Sequence, residues 1–224
     1  MLIEHIRSAL DEDAVRLRHS DIQERYREIT MDSNFTTDWF TGNIPFWIEA
    51  FQKLDKSSAE SESALRILEI GSFEGRSTIF FASTFECAVI DCVDTWQGSD
   101  EHGSAHYLSD LYDRFVENTK GYKPRIAAYQ MTSADFFTVS RSCNYDLVYV
   151  DGSHRASDVL LDLVNGFSRL RNGGILLIDD YLWKHYDSNR DNPCIAVNSF
   201  CRIYRGQFKF LRVGYQVYLK KTIS

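Results

Sequence analysis

The sequence predicts an α/β chain built on a doubly wound, mostly parallel sheet of seven strands, closed by an antiparallel C-terminal hairpin. Short apolar runs alternate with helical periodicities from residue 64 onward, which is the pattern of strand–helix–strand units. Two of these runs, 145–151 and 174–179, end at carboxylates. A pair of apolar segments surrounds Gly214 near the end of the chain, as in a hairpin.

Residues 1–60 are predicted to form an N-terminal helical segment, or lid, and residues 61–224 the main domain. Apolar residues at helical spacing predict a helix over 1–30, followed by an irregular segment over 31–43. An amphipathic helix is predicted over 44–54, with a proline in its first turn, where the missing N–H costs nothing.

The main domain is predicted to alternate between strands and helices. The predicted strands are 64–70, 88–93, 126–129, 145–151, 174–179, 208–213 and 216–220. The predicted helices are 77–85, 111–119, 134–140, 157–170 and 194–204. Residues 96–110 are polar and favour a loop, and Asn172-Gly173-Gly174 is expected to end the helix before the fifth strand.

Composition excludes several classes of protein. A chain of 224 residues with 44% hydrophobic residues can bury the core of one large domain. The net charge of −7 argues against a nucleic-acid partner, since such proteins present a basic face. No apolar stretch approaches the ~20 residues of a membrane span, and the N-terminus lacks signal-peptide features. Five cysteines without a CxxC pair indicate reduced thiols, so we expect a cytoplasmic protein without a membrane partner.

Three carboxylates follow two of the predicted strands. Asp151 closes the fourth strand, and Asp179 and Asp180 close the fifth. If those strands are neighbours, their ends lie ~5 Å apart, and like charges at that distance repel strongly. A divalent cation with oxygen ligands resolves the repulsion, so the sequence predicts a metal site here. The alternative is that one of these aspartates caps the following helix. Consecutive residues of a regular strand point to opposite faces, so Asp179 and Asp180 can both reach one ion only if the strand ends before them.

A glycine-containing turn follows the first strand. Gly71 and Gly75 allow close approach of the backbone to a ligand, and the next helix offers free N–H groups. The spacing G-x-x-x-G, with Phe73 inside it, differs from the G-x-G-x-x-G of pyrophosphate sites. Glu69 suits an ammonium group, and Asp94 stands where an acid holds a ribose diol. Ribose and ammonium without diphosphate point to S-adenosylmethionine.

These motifs resemble, in their order along residues 64–220, the class I S-adenosylmethionine-dependent methyltransferases. The motifs are Glu69 to Gly75, Asp94-Thr95-Trp96, Tyr145 to His154, and Gly173 to Tyr181. The resemblance implies a Rossmann-like methyltransferase fold, with residues 61–224 as the S-adenosylmethionine-binding domain, and methyl transfer to an acceptor.

The resemblance also implies a set of cofactor contacts. Those along the methionine and ribose part would be Glu69, Gly71, Ser72, Glu74, Gly75, Ser77 and Asp94. Those beside the adenine would be Thr95, Trp96 and Ser133. The residues alone leave alternatives: the glycines can be plain turn glycines, Glu74 a solvated acid, and Ser77 a helix cap. Asp91 is a rival of Asp94, although it falls within the second strand.

Within that superfamily, the acids resemble those of the magnesium-dependent O-methyltransferases of macrolide sugars, the macrocin O-methyltransferase group. Asp151, His154, Asp179 and Asp180 match its pattern of acid, histidine and adjacent acids. The resemblance implies Mg²⁺, or another divalent cation, held by Asp151, Asp179 and Asp180. Asp151 and His154 would then be catalytic, with His154 accepting the proton of a hydroxyl that the cation has made more acidic.

The acceptor side is predicted to be a small molecule, with a sugar hydroxyl as the first candidate. Residues 36–43 and 97–107 are expected to cover the pocket, with Trp39 and Phe40 either in the core or in a lid. His102 and His106 are either ligands or solvated loop residues. The fifth predicted strand is followed by further candidates for acceptor contacts: Tyr181, Trp183, Lys184 and His185.

Other functions compete with this interpretation. A metal-independent methyltransferase acting on nitrogen or oxygen would use the aspartates to position an amine or a hydroxyl. A noncatalytic S-adenosylmethionine-binding module belongs to another class. A nicotinamide oxidoreductase is disfavoured by the glycine spacing around Phe73 and by Glu69. The sequence is compatible with a homo-oligomer.

Overall fold

One seven-stranded sheet organises the part of the chain that the computed structural model describes, residues 1–54, 64–99, 108–140 and 144–222. The strands are β1 Arg66–Ile70, β2 Val89–Asp94, β3 Ile126–Gln130, β4 Tyr145–Val150, β5 Leu170–Ile178, β6 Phe208–Val213 and β7 Val217–Lys221. Their order is β3-β2-β1-β4-β5-β7-β6. This confirms the predicted doubly wound, mostly parallel sheet with an antiparallel hairpin.

Nine α-helices lie in the described ranges. They are α1 Leu2–Leu10, α2 Glu12–Arg18, α3 Ser20–Ile29, α4 Ile44–Phe51, α5 Arg76–Thr84, α6 Leu111–Thr119, α7 Ser133–Val139, α8 Ala156–Arg169 and α9 Pro193–Ile203. Short 3₁₀ helices, Thr41–Asn43 and Lys120–Arg125, precede α4 and β3. None of the helices described is long and apolar enough to cross a lipid bilayer.

The five parallel strands bring their carboxyl ends to one edge. Ile70 of β1 pairs with Val93 of β2 and Val150 of β4, and Val150 pairs with Ile178 of β5. The residues that follow these strands therefore emerge side by side. This edge is where ligands bind in open α/β sheets.

Strand β7 lies between β5 and β6 and runs antiparallel to both. Val217, the first residue of β7, pairs with Ile178, the last residue of β5. The turn between β6 and β7 therefore reaches the same edge as the carboxyl ends of the parallel strands. Gln216, in that turn, lies beside the acids that follow β5.

The prediction of one helix over residues 1–30 is wrong, because the chain forms α1, α2 and α3 with ends at Asp11 and His19. A straight 30-residue helix would span about 45 Å, whereas the two breaks let α1 lie against β6 while α2 and α3 lie against α4. His19 bonds to Glu49 of α4 at 3.0 Å, which fixes the turn between α2 and α3.

The prediction that Asn172-Gly173-Gly174 ends a helix is also wrong. Helix α8 ends at Arg169, and β5 begins directly at Leu170. The glycines instead accommodate an irregularity in the pairing of β5 with β4, which shifts register between Tyr145 and Leu147. A Cβ on Gly174 would lie 2.9 Å from the backbone oxygen of Asp146, so the close approach of the two strands explains that glycine.

Helix α4 packs an aromatic cluster against one face of the sheet. Trp47 is fully buried, and its ring lies 5.0 Å from that of Phe81 and 4.7 Å from that of Tyr149 on β4. Phe40 contacts the same tryptophan, with the ring centroids 4.9 Å apart. The N-terminal helices thus share a core with the sheet.

Candidate active site

A cavity of about 1130 Å³ opens at the carboxyl edge of the sheet. Its walls come from the segments that follow β1 to β5, from the turn before β7 and from residues 37–43. Ligand pockets of drug-sized molecules are typically about 300–1,000 Å³. The cavity therefore has room for a cofactor and an acceptor together.

The two glycines after β1 are required by the backbone. Gly71 has a φ of +85°, and a Cβ there would lie 1.9 Å from the backbone oxygen of Asp151. Gly75 has a φ of +87°, and a Cβ there would lie 2.8 Å from a methyl carbon of Thr119. Only glycine combines that conformation with such proximity. The loop after β1 is therefore pressed directly against the segment that follows β4.

Glu69 lies beneath this loop. Its side chain is fully buried, and Oε2 accepts hydrogen bonds from the hydroxyls of Ser72, at 2.8 Å, and Thr78. Burial raises the pKa of Glu69, and the surrounding hydroxyls partly offset that rise. Glu69 does not line the cavity, whereas Ser72 does. In the structure the acid holds the glycine loop from below.

Glu74 and Ser77 occupy the start of the next helix. Glu74 is buried rather than solvated: it accepts bonds from the Thr36 backbone N–H, at 2.9 Å, and the Thr36 hydroxyl, at 2.6 Å. The Arg114 Nε lies 3.2 Å from the same carboxylate. Ser77 is buried in the first turn of α5 and lines the cavity. Glu74 thereby fastens the segment around Thr36 to the cavity wall.

Asp94 ends β2 and faces the cavity. Its Oδ2 accepts from the Phe73 N–H at 2.8 Å, and its Oδ1 from the Trp96 N–H at 2.7 Å. Burial raises the pKa of Asp94, and these backbone N–H groups counteract it. Each carboxylate oxygen has a further lone pair for a hydroxyl donor. The rival Asp91 accepts from the Tyr145 hydroxyl at 2.7 Å and does not line the cavity.

Two of the three residues expected near the adenine lie in the cavity wall, and the third lies behind it. Thr95 and Ser133 line the cavity. Trp96 does not: its ring is buried against Tyr112 and Phe115, with centroids 4.8 Å apart in both cases. Its Nε1 donates to the Phe73 oxygen at 2.9 Å. Trp96 therefore supports the loops from behind.

Two carboxylates share one phenolic hydroxyl at the ends of β4 and β5. The Tyr149 hydroxyl lies 2.7 Å from Oδ2 of Asp151 and 2.6 Å from Oδ2 of Asp179. One phenol proton cannot be donated to both acceptors. Burial, and then repulsion from the neighbouring acids, raise the pKa of Asp151 well above its ordinary value and that of Asp179 to about 6. The site is short of positive charge.

Asp180 turns away from the line of the strand and meets His154. Strand β5 ends at Ile178, and Asp180 has a φ of +54°, so the two acids do not follow a regular strand. Nε2 of His154 lies 2.7 Å from Oδ2 of Asp180. One donor atom from each of Asp151, His154 and Asp180 lies within 4.8 Å of the others, a spacing that one metal ion can span. We call these three residues the acid–histidine cluster.

Asp179 lies beside this cluster among other partners. Its Oδ1 accepts from the Asp180 N–H at 2.8 Å, and its Oδ2 accepts from Tyr149 and from Nε2 of Gln216. Oε1 of Gln216 accepts in turn from Nε1 of Trp47 at 2.9 Å. Sequence reasoning missed Tyr149, Gln216 and Trp47, although Tyr149 stands two residues before Asp151, on the same face of the strand.

Aromatic residues surround the part of the cavity next to the acid–histidine cluster. Trp39 lines it and is 65% exposed, whereas Phe40 is buried against α4. The Trp183 ring lies 4.5 Å from that of His154. Tyr186 and Tyr215 complete this wall.

The remaining acceptor candidates have other positions. Tyr181 is half-buried, with its hydroxyl 3.4 Å from Oδ1 of Asn198, and His185 stacks on Trp183 away from the cavity lining. Lys184 is exposed. His102 and His106 lie outside the described residues.

Sequence reasoning also missed Asp162. This residue of α8 is 1% exposed and lines the cavity together with Ser133. Burial raises its pKa to about 7, an effect that the Ser133 hydroxyl opposes. Its Oδ1 has no hydrogen-bond partner within the described ranges. The available signal was a single acid within the apolar stripe of Val159 and Leu163.

Comparison with known proteins identifies the family. The sequence profile of a family described as "Methyltransferase domain" matches residues 68–181, just over half of the 224 residues. No curated protein sequence matches the chain.

Several solved structures share the fold. The O-methyltransferase TomG from Streptomyces achromogenes, solved with S-adenosylmethionine, is 15% identical with a TM-score of 0.60, over 90% of this chain and 89% of that one. A Staphylococcus aureus protein assigned as a caffeoyl-CoA O-methyltransferase is 13% identical, with a TM-score of 0.62, over 96% and 100%. The MycE methyltransferase of the mycinamycin pathway, solved with Mg and S-adenosylhomocysteine, is 17% identical, with a TM-score of 0.55, over 88% of this chain and 54% of that one.

Three glycine-to-alanine variants distinguish two causes of lost stability, a steric clash of the new Cβ with a neighbouring backbone and a positive φ that alanine adopts poorly. Gly71→Ala should lower the free energy of unfolding more than Gly206→Ala, because Gly206 also has a positive φ, +91°, but has open space around it. The conformational cost alone is about 1–2 kcal/mol. Gly42→Ala, with neither constraint, should stay within about 0.5 kcal/mol of the native protein. Urea unfolding measures all three, and equal losses for Gly71→Ala and Gly206→Ala would contradict the close approach.

The raised pKa of Asp162 predicts a pH-dependent stability. A folded-state pKa of about 7 against an ordinary 3.8 means that the folded state holds this proton more tightly. The contribution of Asp162 to the free energy of unfolding is therefore most favourable at low pH. It is lost as the pH rises from about 4 to 7, by up to about 4 kcal/mol. Asp162→Asn should remove this dependence in urea unfolding, and Asp113→Asn, at an exposed position of α6, should follow the native profile. Parallel profiles for Asp162→Asn and the native protein would refute the assignment.

Proposed function

The chain belongs to the methyltransferase-domain family, and from that membership we propose that it methylates a hydroxyl of a small molecule, such as a sugar, with the help of a divalent cation. The observation that carries the proposal is the contact between Gly71 and the backbone of Asp151. It places the loop expected to hold the methyl donor directly against the acid–histidine cluster. Donor and acceptor would therefore share one cavity.

The cavity lining suits S-adenosylmethionine. The residues that would hold it are Gly71, Ser72, Ser77, Asp94, Thr95 and Ser133. Asp94 retains acceptor capacity for ribose hydroxyls after its two backbone bonds. When bound, the cofactor supplies a sulfonium methyl group as the electrophile. The protein's contribution is to fix the donor relative to the acceptor oxygen.

The acid–histidine cluster suits a divalent cation. The carboxylates of Asp151 and Asp180, with Asp179 adjacent, would hold the cation, and His154 would lie beside it as the base. The phenol shared between Asp151 and Asp179 cannot neutralise both acids, so a positive charge would relieve the repulsion there. When bound, Mg²⁺ or a similar cation supplies a charge that lowers the pKa of an acceptor hydroxyl. The structural likeness to MycE, whose structure contains Mg, supports this assignment.

His154 would accept the proton of the acceptor hydroxyl. An imidazole has an ordinary pKa near neutrality, which suits a general base. Asp180, 2.7 Å from Nε2, and the Trp183 ring orient the imidazole. His154 would hold that proton while the acceptor oxygen takes the methyl group that the cofactor would supply.

The aromatic wall supports a sugar-like acceptor. The cavity lining includes aromatic rings, and the tyrosines among them also carry hydroxyls: Trp39, Trp183, Tyr186 and Tyr215. Such surfaces suit a ligand with apolar ring faces and polar edges. The proposal includes the division of the chain into a helical segment over 1–60 that covers the cavity and a cofactor-binding domain over 61–224, which residues 37–43 in the cavity wall support.

A second candidate is metal-independent methyl transfer. The pairing of His154 with Asp180 at 2.7 Å favours this candidate. An imidazole that a carboxylate orients can act as a base without a metal ion. Chelation distinguishes the two candidates.

Removal of the metal should abolish methyl transfer from labelled S-adenosylmethionine to a panel of sugars and phenols, and Mg²⁺ should restore it. Asp180→Asn should weaken metal affinity by at least about tenfold and leave the affinity for S-adenosylhomocysteine within about twofold, because Asp180 is not among the residues that would hold the cofactor. Asp187→Asn, exposed in the same segment, is the matched control. Native turnover in EDTA would favour the metal-independent candidate.

His154→Gln should lower kcat by about 10²–10⁴ at neutral pH, as expected on loss of a general base. The Mg²⁺ concentration for half-maximal activity should change little. His185→Gln is the control, because His185 stacks on the same tryptophan without lining the cavity. A His154→Gln variant with native kcat at saturating Mg²⁺, but a raised Mg²⁺ requirement, would make His154 a ligand instead of the base.

A further inference from the structure

The first helix of the chain presents its apolar side to solvent. Within the described ranges, no residue of α1 is buried, although the helix lies against β6. Its large apolar side chains form one stripe along the helix, with exposed fractions between 50% and 83%: Leu2, Ile3, Ile6 and Leu10. An amphipathic helix of a globular protein normally directs such a stripe at the core. The orientation of α1 is therefore the reverse of the usual one.

Polar side chains of α1 face the sheet instead. Nδ1 of His5 lies 3.2 Å from the backbone oxygen of Val213, and the Ser8 hydroxyl accepts from the Val213 N–H at 3.1 Å. Val213 ends β6, which is an edge strand of the sheet. These contacts hold α1 with its apolar stripe turned outward. Because a helix laid over an edge strand hinders strand pairing with another chain, a partner at this edge would meet the apolar stripe.

The border of the stripe indicates which kind of partner fits. Glu4 and Arg7 form an ion pair with each other at 2.8 Å, so the charges beside the stripe balance. Helices that bind lipid surfaces are rich in lysine and arginine on their polar face, whereas α1 has one arginine and no lysine. A partner with an apolar centre and a neutral border suits this surface. A second copy of this chain offers both.

The stripe is also symmetric about its middle residue. Leu2 and Leu10 stand four residues before and after Ile6, each about 6 Å from it along the helix axis. A two-fold axis at Ile6 would make the two helices antiparallel and set Leu2 opposite the partner's Leu10. The same axis would bring Arg7 level, to within one residue, with the partner's Glu4. An interface between two identical copies requires this kind of self-complementarity.

We propose that α1 is the contact between two copies of this chain, packed antiparallel through its apolar stripe about a two-fold axis at Ile6. The inference is independent of the proposed chemistry. A standard interface covers about 800 Å² on each partner, which is more than four aliphatic side chains supply. The dimer is therefore in equilibrium with the monomer at roughly micromolar concentrations.

Sedimentation velocity of the full chain at about 1–200 µM tests the association, since this range brackets a micromolar dissociation constant. The native protein should change from monomer to dimer across the range. Ile6→Glu should raise the dissociation constant at least about 100-fold, because two carboxylates would meet at the axis. Val139→Glu is the matched control: Val139 is 68% exposed on α7, which follows the opposite edge strand β3.

The control should dimerise like the native protein. A native protein that stays monomeric throughout, whether or not it cosediments with phosphatidylcholine vesicles, would overturn the proposal. Equal dissociation constants for Ile6→Glu and the native protein would do the same. If Ile6→Glu does not fold, as judged by circular dichroism, Leu10→Glu, at an 83% exposed position, carries the test with the same expected result.

Disulfide cross-linking tests the geometry separately from the affinity. Under oxidation, Ile6→Cys chains should form a linked dimer, because each residue 6 faces its own copy across the axis. Leu2→Cys alone should not, because its two copies would lie about 12 Å apart along the helices. A mixture of Leu2→Cys and Leu10→Cys chains should cross-link.

The native protein, with its exposed Cys87, measures the background of cross-linking. A dimer that sediments as such but shows only background cross-linking for Ile6→Cys would place the contact elsewhere and overturn the proposal.

Discussion

Excess negative charge at the carboxyl ends of β4 and β5 is the constraint on which the site depends. Asp151 and Asp179 approach one phenolic hydroxyl from two sides, and Asp180 lies against His154. Carboxylates are retained in such a place only where hydrogen bonds and a countercharge stabilise them. The neutral donors, Tyr149 and Gln216, meet part of that need. A bound cation would meet the rest, as the proposal of metal-assisted chemistry requires.

Contacts within the core connect the acidic residues after β4 and β5 to the N-terminal helices. Trp47 of α4 donates to Gln216, and Gln216 donates to Asp179. The Trp47 ring also packs on Tyr149, which contacts both acids. The N-terminal helices therefore help to hold the acidic residues in position. On the other side, Glu74 holds Thr36 at the cavity wall through three hydrogen bonds.

Much of this arrangement could be predicted from local sequence. The alternation of apolar runs with helical periodicities predicted the sheet. The acids at the ends of two of those runs predicted the edge of the sheet at which the cavity lies. The prediction of a single helix over 1–30 was wrong because the packing of α1 against β6, and of α2 and α3 against α4, breaks the helix at two places that the periodicity does not reveal. Trp96 and Glu74 behave differently from expectation because their partners, Phe115 and Thr36, are distant along the chain. Asp162 was missed because its environment comes from α8 and the segment after β3 together, which no local pattern reveals.

The reversed direction of β7 has a consequence for how the cavity wall is assembled. Parallel strands deliver to the ligand edge only residues that follow a strand, and those residues carry the donor and acid machinery. The β6–β7 turn arrives from the opposite direction and contributes Tyr215, while Gln216 behind it braces Asp179. The β6–β7 turn therefore brings Tyr215 into the cavity wall by a route separate from the segments that follow the parallel strands.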